Sequence, residues 1–282
     1  MELCIKEKDG YIFFDNPPDF SLEKIFDCGQ CFRFDKTSDG FFEGVAFGKY
    51  VRLFQDEKQV KIYGITKSEF EKTWKYFLAL DEDYSKINSV ILSHDEKDET
   101  IKSAYEKSKG IRILRQDGWE ALVSFIISQN NNIPRIKKII AAMCEKYGEN
   151  IGGTHYAFPT PQALVNAGED GLFGLKTGFR AKYIFDAAQK VSSGEIDLSS
   201  VGKMTTEQAT AYLMQIKGVG LKVASCTLLF GFYKTDAFPI DVWVKRILEK
   251  YYPDGLDVKS FGNYAGIAQQ YLFYYERYVN GK

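Results

Sequence analysis

The chain has 282 residues, 45% hydrophobic and 15% aromatic, enough to bury a substantial core in one large domain or two. Its formal net charge of -1 lacks the basic footprint usual for a nucleic-acid binder, so any anion-facing surface must come from local clustering. Met1 to Gly10 lacks the apolar core of a signal peptide and no run is long enough to span a bilayer; a cytoplasmic protein without membrane contact is expected. Five scattered cysteines, an odd number, speak against a disulfide framework.

The first part, to about Gly64, alternates in short runs punctuated by Gly and Asp: Tyr11 to Phe14, Gly40 to Phe47, Tyr50 to Phe54 and Gln59 to Tyr63. That pattern predicts an antiparallel sheet. Within this part, Cys28-Gly-Gln-Cys31 has a spacing that serves zinc or redox chemistry, but no second Cys or His pair accompanies it. Two small residues flanking a turn is the simpler reading, because a structural zinc site needs about four ligands. His94 and His155 have no sequence neighbour that suggests a triad or a metal site. Thr66 opens a helical pattern through Phe70, Trp74, Phe77 and Leu78, and a shorter one follows near Ile87 to Leu92; both are expected to cover one face of the sheet.

From about Ile101 the period becomes helical, in Trp119 to Ser128, Ile133 to Tyr147, Arg180 to Ser192, Thr206 to Ile216, Leu221 to Tyr233, Val242 to Tyr251 and Phe261 to Tyr278. The expected fold is α+β: a sheet domain over 1–100 with covering helices, then an all-α domain over 101–282. No low-complexity linker separates them, so a groove is expected where they meet. Charge clusters in the second half. Lys217 to Lys250 carries six cations against three anions and Ile133 to Tyr147 four against one, whereas Asp81 to Glu99 is acidic.

Ile216-Lys-Gly-Val-Gly-Leu-Lys222 lies between two helical patterns, with Gly218 and Gly220 where the chain turns tightly. A Gly-x-Gly turn into a helix N-terminus offers free N–H groups that hold a phosphate without a cationic side chain. Lys222 falls in the first turn of the following helix, where the positive end of the dipole makes a second cation unwelcome; a neutral amine is a nucleophile. Cys226 is one turn further on the same face. Phe238-Pro-Ile-Asp241 then precedes an apolar-periodic helix, so Asp241 is an expected N-cap. Its carboxylate also suits stabilisation of positive charge developing on a sugar. Taken singly, Lys222 is compatible with a solvated lysine and Asp241 with capping alone.

Met214-Gln-Ile-Lys-Gly-Val-Gly-Leu-Lys-Val-Ala-Ser-Cys226, followed by Ala237-Phe-Pro-Ile-Asp241-Val, resembles the helix-hairpin-helix and Gly/Pro-Asp core of the base-excision DNA glycosylases. A lysine after the hairpin marks the members that also nick the strand. No four-cysteine cluster follows Asp241, which disfavours the iron-sulfur members. Ser128-Gln-Asn-Asn-Asn-Ile-Pro-Arg135, Gly178-Phe-Arg-Ala-Lys-Tyr183 and Gly29-Gln-Cys-Phe-Arg33 resemble the asparagine-rich helix break, the wedge loop and the recognition turn of the 8-oxoguanine DNA glycosylases.

The resemblance implies a DNA N-glycosylase and apurinic/apyrimidinic lyase that acts as a monomer on duplex DNA containing 8-oxoguanine, without a cofactor or catalytic metal. Lys222 is then the nucleophile and Asp241 its supporting carboxylate. Gly29, through its carbonyl, Cys226, Gln269 and Phe273 form the base pocket. Asn130, Arg135 and Arg180 bond the cytosine left behind, and Phe179 fills the gap. The carbonyls of Met214, Ile216 and Val219 are implied ligands of a structural cation near a phosphate. Without the resemblance, Gly29 reads as a turn glycine, Phe179 as a staple on Tyr183, Asn130, Arg135 and Arg180 as a helix cap and solvated charges, and Phe273 as a core residue beside an exposed Gln269.

One departure is Trp243, where eukaryotic relatives carry a phosphate-contacting histidine. That residue and the absence of eukaryotic extensions suggest a bacterial or archaeal-type member, associated with the nucleoid. The alternatives are a relative acting on another damaged purine, a hairpin module that binds DNA without catalysis, and a small-molecule enzyme using Lys222 as a Schiff base. The second needs neither Lys222 nor Asp241, and the third leaves the wedge loop unexplained.

Overall fold

The computed structural model describes residues 3–8 and 10–280. Among these, strands β1 (Lys6–Lys8), β2 (Tyr11–Asp15), β3 (Phe34–Lys36), β4 (Phe42–Ala46), β5 (Lys49–Gln55) and β6 (Gln59–Tyr63) form one antiparallel sheet in the order β1-β2-β6-β5-β4-β3. The four longer strands lie where the alternating runs predict them. The edges β1 and β3 are three residues each, too short to show an alternation. Register aligns Ile12, Ile62, Leu53 and Phe42 in a row across the sheet, and all four are buried. This apolar face is closed by the Leu22–Asp27 helix, through Leu22, Ile25 and Phe26, and by the helical stretch 67–77, through Phe70, Trp74 and Phe77.

The remainder is helical apart from a small hairpin, Asn150–Gly152 with His155–Tyr156. The Gly118–Ser128 helix buries eight residues, more than one face holds, as expected of a helix at the centre of a core. Leu221–Phe232 packs against it. The Tyr84–Leu92 helix does not cover the sheet: Tyr84, Ile87 and Ile91 pack into the helical core, because Phe70, Trp74 and Phe77 already fill the sheet's apolar face. The helix Pro161–Leu172 is absent from the sequence reading; it buries only Leu164 and Leu172 and is kinked inside, so it shows little period. No helix among the described residues is long and apolar enough to cross a membrane.

The two cores meet along the extended segment Ile111 to Arg115. Ile111 and Ile113 belong to the helical core and Leu114 to the sheet core, the two-residue alternation of extended chain. Between them Arg112, 3% exposed, donates to the carbonyls of Pro18 (2.7 Å), Asp19 (3.0 Å) and Ala79 (2.7 Å) and lies 4.6 Å over the Tyr84 ring. On the helical side, His94 contacts Asp98 (3.0 Å) and Ser260 (3.0 Å). The Ser260 hydroxyl donates to Asp257 O at 2.6 Å, so this trio is a tie between segments rather than an activated nucleophile.

A second tie crosses the junction at Arg33, whose guanidinium is 3.2 Å from Glu120 on the central helix. Burial pushes the Glu120 carboxyl up to about 7 against the pull of Arg33. The folded chain therefore holds this proton more tightly than the unfolded chain, where glutamate titrates at about 4.3. The associated stability is full below that value and is lost as pH rises through 7. Glu120→Gln removes the titration, so unfolding in urea at about pH 5 and about pH 8 should show wild type losing ground to the variant at the higher pH. A difference that does not change with pH would contradict the assignment.

Candidate active site

Between the helices Thr206–Leu213 and Leu221–Phe232 the chain makes a tight hairpin, with Ile216 N bonded to Leu213 O (3.1 Å), Val219 N to Ile216 O (3.0 Å) and Lys217 N to Asp186 Oδ2 (2.7 Å). Gly218 has φ +79°, and a Cβ there would lie 2.3 Å from the Tyr183 ring; only glycine fits beneath it. Gly220 caps the second helix without a side-chain bond, which leaves the first-turn N–H groups open.

Lys222 projects from that first turn across to the central helix. Its Nζ donates to Ser128 Oγ at 3.1 Å and sits 5.3 Å over the Phe125 ring. The Ser128 hydroxyl donates to Phe125 O at 2.8 Å, so a lone pair faces the amine. Cys226, one turn on, is buried; burial pushes its thiol up while Lys222 pulls it down. Asp241 is the expected N-cap: Oδ1 accepts from Trp243 N and Val244 N, both at 2.9 Å. Its Oδ2 has no partner among the described residues. The Trp243 indole carries the Arg246 guanidinium at 4.8 Å.

Gly29 follows the end of the Leu22–Asp27 helix at φ +78°, the left-handed position that terminates helices. A Cβ there would meet Ile133 Cδ1 at 3.3 Å and Phe273 Cε1 at 3.7 Å. The turn is pinned by Gln30, which is fully buried. Its Nε2 donates to Ile25 O (3.0 Å) and Arg112 O (2.9 Å), and its Oε1 accepts from Leu114 N (2.8 Å). The Gly29 carbonyl has no partner among the described residues. Gln269 and Phe273 share a face of the Ala265–Tyr274 helix, and Gln269 Oε1 is buried without a partner. Gly29, Lys222, Cys226, Asp241, Gln269 and Phe273 line one cavity of about 760 Å³, and Asn130 borders it.

Arg135, Phe179 and Arg180 do not line this cavity; they group around the helix break, whose Gln129, Asn130 and Asn131 do. Asn131 Nδ2 donates to Ile127 O (3.0 Å) and Asn132 Oδ1 accepts from Arg135 N (3.0 Å), so these two asparagines finish one helix and start the next. Asn130, exposed, holds φ +46° between them. Arg180, 3% exposed, donates to Gln129 O (2.8 Å), Asn130 O (2.9 Å) and Thr177 O (3.0 Å). Arg135 is exposed, with a bond to Lys176 O at 3.2 Å. Phe179 is 48% exposed and edges against Tyr183 at 5.9 Å. Sequence reasoning missed the Ser128 hydroxyl and Gln30, since lone polar residues in a turn or at a helix end carry no period. The Cys28 and Cys31 thiols are buried and both pushed up by burial, which fits the structural reading of that pair. No cluster of three His, Cys, Asp or Glu side chains among the described residues is arranged to hold a metal.

Residues 13–122 match the family model for the 8-oxoguanine DNA glycosylase N-terminal domain, and residues 123–256 match that of the HhH-GPD superfamily of base excision DNA repair proteins. Over 90% of its length the chain is 31% identical to the N-glycosylase/DNA lyase OGG1 of Arabidopsis thaliana, covering 77% of that protein. The chain belongs to the 8-oxoguanine DNA glycosylase family. It is 39% identical to the N-glycosylase/DNA lyase of Saccharomyces cerevisiae over 159 residues, which are 51% of this chain and 42% of the yeast protein, so it spans less than half of that relative. Among solved structures, it resembles the Clostridium acetobutylicum 8-oxoguanine glycosylase/lyase bound to duplex DNA with cytosine opposite 8-oxoguanine: 40% identity, TM-score 0.91 and 98% of both chains covered. The family's sheet and hairpin domains are thus both present.

In this family fold the hairpin depends on the contact of Gly218 with Tyr183. Gly218→Ala combines a left-handed backbone with a clash against the ring. It should destabilise the protein by about 2–4 kcal/mol in urea unfolding; an unchanged midpoint would mean that the ring moves aside freely.

Proposed function

We propose that this chain excises 8-oxoguanine from duplex DNA and then nicks the strand through a covalent intermediate at Lys222. The observation that carries the reading is one cavity walled by an amine, a carboxylate with a free oxygen, an unpartnered Gly29 carbonyl and a buried, unpaired Gln269 Oε1. Buried polar atoms without partners are costly. A ligand with a donor edge satisfies them.

In this reading the duplex lies across the hairpin, whose open N–H groups take a phosphate. The target nucleotide is flipped into the cavity, and Phe179 fills the gap it leaves. The Gly29 carbonyl accepts from the N7 hydrogen that distinguishes 8-oxoguanine from guanine, whose N7 presents a lone pair instead. Gln269 bonds the Watson–Crick edge, and the base lies between the Phe273 ring and the Cys226 sulfur. Arg135 and Asn130 reach the orphaned cytosine. Arg180 joins them only by exchanging bonds it makes to the Gln129, Asn130 and Thr177 carbonyls. The carbonyls of Met214, Ile216 and Val219 are oxygen donors of the type a hard cation takes, and such an ion at the hairpin would add positive charge beside the phosphate.

The neutral Lys222 amine adds to C1′ as the glycosidic bond breaks, and the purine leaves with the electron pair and takes up a proton. Asp241 stabilises the positive charge that develops on the sugar. Ring opening yields an imine between Lys222 and the sugar; loss of a C2′ proton then expels the 3′ phosphate oxygen and cuts the strand.

Borohydride added during reaction with an 8-oxoguanine:cytosine duplex should trap a covalent protein–DNA adduct, and Lys222→Gln should abolish it. An adduct formed by Lys222→Gln, or none from wild type, refutes the mechanism. The same assay with each of the four bases opposite the lesion should favour cytosine by about tenfold or more, the worth of one bidentate contact, and Arg135→Ala should flatten the series. Equal trapping across the wild-type series would remove the reading role from Arg135 and Asn130.

A further inference from the structure

Three consecutive carbonyls at the recognition turn have different fates. Cys28 O lies past the end of the Leu22–Asp27 helix, where no intrahelical N–H reaches it. It accepts instead from Gln270 Nε2 at 2.8 Å, a residue 2% exposed on the Ala265–Tyr274 helix. Gln30 O accepts from Gln116 Nε2 at 2.7 Å. Gly29 O, between them, is left over.

We infer that Gln270, with Gln116, is a positioning residue for lesion discrimination, holding the turn so that Gly29 presents its carbonyl to the base. This rests on the reading that the Gly29 carbonyl tests N7. Glycine has a soft backbone, and a flip of the peptide between Gly29 and Gln30 would replace the carbonyl with the Gln30 N–H. That group is a donor, which suits the N7 lone pair of undamaged guanine and repels the hydrogen of 8-oxoguanine. One rotation would therefore invert the preference. The two glutamine bonds fix the peptide units on either side, so the Gly29–Gln30 unit is held between two anchored neighbours. Gln270 is also adjacent in sequence to Gln269 and three residues from Phe273. One helix thus sets the acceptor, the edge-reading amide and the stacking ring in a common frame.

Gln270→Met keeps the length of the side chain and removes the donor. Single-turnover excision of 8-oxoguanine opposite cytosine, competition by undamaged duplex and nicking of a preformed abasic site would be measured on the full chain, with urea unfolding alongside. Nicking of the abasic site needs no base recognition and is expected to stay within about twofold of wild type. Excision of 8-oxoguanine and preference over guanine are each expected to fall about tenfold, the factor for one lost hydrogen bond. Gln116→Met, on the other flank, should give the same split. Wild-type excision and preference in both variants overturn the inference, as does a parallel fall of abasic nicking and excision, which would mark a general loss of fold. A wild-type protein that does not prefer 8-oxoguanine at all would instead sink the functional reading on which the inference stands.

Discussion

Arg112 is the constraint on which the rest of the molecule depends. A guanidinium removed from water must have its donors satisfied, and here the acceptors are main-chain carbonyls at Pro18, Asp19 and Ala79. Main-chain acceptors move only with the segments that carry them, so Arg112 fits one relative arrangement of sheet and helices. Its own carbonyl takes a bond from Gln30, which extends the constraint into the turn carrying Gly29. The cavity has Gly29 on one side of this junction and Lys222, Gln269 and Phe273 on the other. Its two walls are therefore tied by buried polar bonds as well as by apolar contact.

The same economy is visible at Asp241 and Ser128. Capping uses one carboxylate oxygen, so the residue is immobilised by its structural role and still keeps an oxygen for the cavity. Ser128 spends its proton on Phe125 O and offers Lys222 an acceptor only. Both groups are oriented by bonds to backbone within a turn of their own positions, which in the proposed reaction would leave little to reorganise as charge develops.

Much of this was legible in the sequence, for reasons that differ by element. The four longer strands and the central helices were visible because burial on one face, or all round, imprints a period. Asp241 could be read because capping is local, and Gly218 because a tight turn requires glycine. The role proposed for Gly29 was not written in its own neighbourhood and came only through resemblance to a family. The packing of the Tyr84–Leu92 helix was misread because an amphipathic helix shows which face it buries and not what it is buried against. Gln30, Gln116 and Gln270 were invisible as a set: three glutamines far apart in sequence announce nothing until the fold closes them around a turn. Arg180 is a related case. A sequence shows a guanidinium but not whether backbone carbonyls already occupy it.

The cysteines acquire a different significance once their surroundings are known. Cys28 and Cys144 are buried, with thiols pushed up to about 12, and burial raises Cys31 and Cys226 as well. Peroxides attack the thiolate and hardly touch the thiol. A chain from a family that repairs oxidised DNA thus keeps these four sulfurs in the form least open to the same oxidants.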